Sequence, residues 1–282
     1  MSDDGPLGNP FEGMPFLGDL AKMLGQQGGM AWDSARQLAI NVATDGVSEP
    51  NVDPVERIGL EQLARVADLH VADVTGLSTS IGGRQVAGLP VNRTRWVMES
   101  LDAYRPLVER LAESLGPSAA DQADLDETAD PMADMFSGMF KMFQPMVLAM
   151  TAGSMVGHLA RRSLGQYDLP IPRPLVGAHA DELLLVVPNL DAFASEWSLA
   201  HDDLRLWICV HEIAHHAVFG VPHVRAAMDD LLQRYVSSFR NDPGAFEGRL
   251  GEIDPSDPNA LAGLQELMGS PDVILGAITS PE

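Results

Sequence analysis

Within the 282-residue chain, the densest group of side chains able to do chemistry is His211-Glu212-Ile213-Ala214-His215. Neutral imidazoles are good zinc ligands, and the geometry of a helix decides whether two of them can share one ion. Successive helical residues turn by about 100°, so His211 and His215 fall about 40° apart on one face. Both rings can then reach a metal at the N–metal distance of about 2.0–2.1 Å that zinc requires. Glu212 stands about 100° further round, outside easy coordination but placed to touch a water held by the metal. Zinc lowers the pKa of such a water to about 7. Glu212 is then the expected general base, taking the proton as water attacks a carbonyl and passing it to the leaving amine. The spacing predicts Zn2+ as cofactor, His211 and His215 as metal ligands, Glu212 as the catalytic residue, and hydrolysis of a peptide or protein substrate.

The element that must hold these groups is a single helix. Asp202 and Asp203 at its start suit the positive end of the helix dipole, and Gly220 and Pro222 stop it. Val210, Ile213, Ala214 and Ala217 are expected to bury its opposite face. His216 points about 100° away from His215, either supporting the ligands or facing solvent. The longer metzincin signature would put Gly at 218 and His at 221, where the chain has Val218 and Val221. His223 therefore does not match it. His70, His158, His179 and His201 are expected to be ordinary, and Cys209 to pack and not to react. Asp229, Asp230, Glu247, Glu252 and Glu266 are candidate third ligands, none favoured. Upstream, 183–187 (LLLVV) reads as a short strand closed by Pro188, whose edge could pair with an extended peptide.

The rest of the chain reads as mainly α, with at most a small β-element near 183–187. Trp32, Ala35, Leu38, Ala39 and Val42 predict a helix over 30–43. Asp53-Pro54 opens a second helix ending near Gly76, with Val55, Ile58, Leu63, Val66, Leu69 and Val74 as its expected apolar face. Gly82-Gly83 and Gly88-Leu89-Pro90 mark loops, and a third helix is expected from about 92 to 115, with Pro106 inside it. Residues 117–131 are acidic and predict a surface loop. Met132 through Met155 recur at helical spacing and predict a plastic core, although a soft-metal or peptide groove has the same composition. Residues 142–160 read as a buried helix packed closely at Gly153 and Gly157, and not as a membrane span. A proline-rich loop covers 166–181, and Asn189 is the expected cap of a helix through Trp197. Residues 1–28 predict a flexible tail, leaving 29–282 as one domain.

The formal charge is −22, which argues against nucleic-acid partners and anionic membranes. A single cysteine permits no intramolecular disulfide, and the N-terminus has no apolar signal region. Both point to the cytoplasm.

Four runs carry a resemblance: NPFEGMPFLGDLAKML, AGSMVGHLARRSLGQYDLPIPRP, EWSLAHDDLRLW, and WICVHEIAHHAVFGVPHVRAAMDDLLQRYV. Together they resemble the bacterial zincin-like metallopeptidase type 2 family of zinc-dependent metalloproteases. The resemblance implies a mostly helical zincin-like fold over 29–282, zinc on His211 and His215, and Glu212 as base. It implies no particular substrate. Members of that family usually continue further, where a later helix offers a Glu-Gly pair as a third ligand. Here the chain stops at Thr279-Ser280-Pro281-Glu282, itself a helix-opening pattern. The expectation is therefore a C-terminally truncated chain with its third ligand beyond Glu282, weak zinc binding and low activity. Two other functions share the motif: a catalytically inactive zincin-fold binding protein, and a hydrolase of non-peptide amides.

Overall fold

The computed structural model describes residues 28–115, 131–169, 171–173, 180–241 and 278–279. Helix α1 (Gly28–Thr44) packs against α4 (Pro131–Ala160). The sequence makes this crossing close. A Cβ at Gly153 would lie 2.4 Å from the Ala35 carbonyl oxygen, and one at Gly157 would lie 2.7 Å from that of Ala39. The small faces of both helices therefore meet at backbone distance, as the Gly153–Gly157 spacing predicts. Of the methionines expected in the core, the side chains of Met132, Met135, Met139 and Met142 lie outside the described residues. Met150 is half-buried, Met146 and Met155 are exposed, and Leu148, Ala149 and Val156 form the buried side. No helix among the described residues is long and apolar enough to cross a membrane.

Helix α2 (Pro54–Thr75) begins and ends as its sequence dictates. The Asp53 side chain accepts from Val55 N at 2.8 Å, and Gly76 closes the helix at φ 65. Its buried face is not the one expected. Leu60, Ala64, Ala67 and Val71 are buried, whereas Val55, Ile58, Val66, Leu69 and Val74 are exposed. Both stripes have helical period, and close approach decides between them. Ala64 and Ala67 let α2 settle against Gly88, where a Cβ would lie 3.2 Å from the Ala64 Cβ.

Gly88-Leu89-Pro90, read above as a loop, lies in strand β1 (Ala87–Val91), which pairs in parallel with β2 (Glu182–Val186). A run holding Gly and Pro has poor strand propensity, and burial on both faces overrides it. Leu183 and Leu185 point into a core with α2 and the motif helix. Leu184 and Val186 point into a second core with Trp96, Val97 and Leu101 of α3 (Arg93–Ser114). The two-stranded sheet thus separates two helical layers.

Helix α5 (Val187–Glu196) starts directly after β2, two residues before Asn189. Asn189 is therefore no cap. Its amide donates to Ala160 O (2.8 Å) and Ser163 O (2.6 Å), and its carbonyl accepts from Arg93 Nε. Helices α6 (His201–Gly220) and α7 (Pro222–Ser238) follow, and a short antiparallel pair joins β3 (Arg240–Asn241) to β4 (Ile278–Thr279). The expected N-terminal tail, apart from Gly28, and the expected acidic loop, apart from Pro131, lie outside the described residues.

Candidate metal centre

Helix α6 buries Leu204, Ile208, Cys209, Ile213 and Ala217 against α2 and the sheet. Its other face carries Trp207, His211 and His215 at four-residue intervals. The Trp207 ring stacks on His211 (centroids 5.3 Å, interplanar 22°) and the two imidazoles lie 4.3 Å apart. The motif's two histidines are therefore adjacent, as their spacing predicts.

Each ring spends the same nitrogen on the protein. His215 Nδ1 donates to the His211 carbonyl at 2.9 Å, and His211 Nδ1 donates to Glu212 Oε1 at 3.1 Å. With the proton on Nδ1, the lone pair is on Nε2 in both residues. Metal-binding histidines are commonly held in this way, through the ring N–H opposite the ligating atom. The Glu212 hydrogen bond also raises the His211 pKa, against the effect of burial. Two Nε2 atoms on one helix face beside an ordered carboxylate match zinc chemistry.

Glu212 is 0% exposed, deeper than a residue facing a hydrated cleft. Its Oε2 accepts from Gln166 N and Tyr167 N, each at 2.8 Å. The segment supplying these donors is itself tied down. Trp96 Nε1 donates to Gly165 O (2.8 Å), Val186 N donates to Leu164 O (2.9 Å), and Asp168 accepts from Leu164 N and Gly165 N. Gly165 also forms an antiparallel bridge to Leu185. This changes the reading of β2: one edge pairs with β1 and the other is covered by 164–166, so it is not a free edge for a peptide.

His216 is buried, which settles the choice left open for it. Its Nδ1 lies 3.1 Å from Tyr167 Oη and its Nε2 lies 3.2 Å from Asp181 Oδ1. Cys209 is buried too, and burial, with a smaller effect from Glu212, pushes its thiol up to about 12. His70, His158 and His223 are exposed, and His201 lies 3.5 Å from Asp191. No group of three or more His, Cys, Asp or Glu able to hold a metal occurs among the described residues. Asp229 and Asp230 sit on α7 beside Arg225 (3.9 Å) and Arg234 (2.9 Å). His179, Glu247, Glu252, Glu266 and 280–282 lie outside the described residues.

A helix presenting paired imidazoles with a carboxylate between them is the arrangement of a zincin-type protein. The profile of the zincin-like metallopeptidase family matches residues 30–282, and the chain belongs to that family. Among solved structures, a protein from Chloroflexus aurantiacus, provisionally described as a hydrolase with a novel fold, is 22% identical. The match covers 84% of this chain and 67% of that one, with a TM-score of 0.47. No curated protein matches significantly.

Proposed function

We propose that this chain is a zinc-dependent peptidase in which His211 and His215 hold the metal through Nε2 and Glu212 is the general base. The observation that supports it most is the matched use of Nδ1 by both rings, which leaves two ligating nitrogens on one helix face. When bound, zinc supplies a water activated at neutral pH and polarises the substrate carbonyl. Glu212 is held by two backbone N–H groups at Oε2, while Oε1 has a side-chain partner. Oε1 meets His211 Nδ1, on the ring edge away from Nε2, so acting as the base requires that bond to open and the carboxylate to turn toward the water whose proton it would take and return to the leaving amine. A zinc site generally has three protein ligands, and the described residues supply two. Glu247, Glu252 and Glu266, which lie outside the described residues, are candidates for the third, none favoured.

The test is hydrolysis of a broad quenched-peptide library by the zinc-loaded full chain and by Glu212→Gln. The reading expects low but measurable cleavage by the parent, with turnover abolished and zinc retained in the variant. Zinc loss from Glu212→Gln, or turnover that persists, contradicts the base role. A parent that binds zinc and cleaves nothing supports a binding protein instead.

A further inference from the structure

Behind Glu212 runs a connected line of buried polar groups that the proposed chemistry does not itself use. Asp181 accepts from Ile81 N (2.6 Å), Gly82 N (2.9 Å), Arg84 N (3.0 Å) and Ser80 Oγ (3.2 Å). Its fifth neighbour is His216 Nε2 at 3.2 Å, and Tyr167 Oη stands 3.1 Å from the other nitrogen of that ring. The Tyr167 ring stacks on His215 (6.0 Å, 19°) and its backbone N–H reaches Glu212 Oε2 at 2.8 Å. Glu212 Oε1 in turn meets His211 Nδ1. We infer that Asp181, His216 and Tyr167 are positioning residues that lock the Glu212 carboxylate and, through it, the metal-binding orientation of His211. The inference rests on the metal assignment proposed above.

Chemistry fixes the direction of the link to Asp181. An ionised carboxylate can only accept, so His216 Nε2 must carry the proton. The other ring nitrogen, Nδ1, pairs with the Tyr167 hydroxyl at 3.1 Å. Asp181, His216 and Tyr167 are all buried. Buried polar chains are costly unless fully satisfied, and each member of this one has a partner. It ends on both metal-binding rings: by stacking on His215 and through Glu212 on His211. A patch of core polarity serving only stability would have no reason to end there.

The experiment is a double-mutant cycle on zinc affinity, read by competition with a chromophoric chelator on the full chain. His216→Phe removes both links, and Tyr167→Phe removes one hydroxyl while keeping the ring and the backbone N–H. Each is measured alone and with Glu212→Ala. Outer partners of metal-binding histidines are worth about 10–100-fold in affinity. The inference expects His216→Phe to weaken zinc by about that factor and Tyr167→Phe by less, with little further loss in the Glu212→Ala background. Equal losses in both backgrounds, or no loss in the folded single variants, overturn it. Should His216→Phe fail to fold, the Tyr167→Phe cycle decides alone. If zinc binding is indifferent to His211→Ala, the metal assignment fails and this inference with it. If zinc needs His211 but the cycle is additive, the relay alone is overturned.

Discussion

Gly165 lies directly on the Glu212 carboxylate: a Cβ at that position would stand 2.4 Å from both Cδ and Oε1 of Glu212. The contact explains why the loop can offer two backbone N–H groups to one oxygen. Gly165 can lie this close to the carboxylate because it has no side chain.

Gly165→Ala should therefore push the Glu212 carboxylate out of its cradle and disturb His211. Overpacking in a tight site costs about 1–3 kcal/mol. The expected result is a lower denaturant midpoint at unchanged m-value, with weaker zinc binding. A variant with wild-type stability and wild-type zinc affinity would show that the loop moves aside without consequence.

Asp181 gives the fold a defined acid response. Burial raises its pKa, but the N–H groups of Gly82, Ile81 and Arg84, with His216, outweigh it and lower the value from 3.8 to about 2. Between these values the unfolded chain binds the proton more readily, so stability rises with pH. The contribution is complete above pH 3.8 and is lost as pH falls through about 2. It is worth on the order of 2 kcal/mol. Denaturant midpoints of the wild type and Asp181→Asn should converge as pH drops across this window. Parallel profiles would mean that Asp181 is not the titrating group.

Cys209 should be chemically silent in the native protein. The thiolate is the reactive form, and burial holds the thiol at about 12. A thiol reagent at neutral pH should label it only at the rate of unfolding, so labelling should track denaturant-induced unfolding. Rapid stoichiometric labelling of the folded chain would contradict its placement in the core between α2, β2 and α6.

Much of the frame was legible in the sequence because local rules govern it. The Asp53-Pro54 start, the Gly76 stop, the Asn92 start of α3 and the shared face of His211 and His215 all depend on residues within a turn or two. What was not legible depends on long-range contact. The buried stripe of α2 is its small-residue side, a choice set by Gly88 across the interface. The β1 pairing overrides a Gly-Leu-Pro run that favours a loop. Asn189 resembles a cap and instead bridges Ala160, Ser163 and Arg93. Gln166, Tyr167 and Asp181 were read as parts of a proline-rich loop, because no spacing rule brings residues 166, 167 and 181 to a helix that starts at His201. The one faint sign was Gly165 within a polar run, which marks a close approach without naming its partner.

The most direct test of the central claim is X-ray absorption at the zinc edge on the metal-loaded full chain, with His211→Ala and His215→Ala beside it. The account predicts one bound zinc with two imidazole nitrogens at about 2.0–2.1 Å, and loss of that signal with either substitution. Stoichiometric zinc with an unchanged spectrum in the double variant would contradict it and place the metal elsewhere.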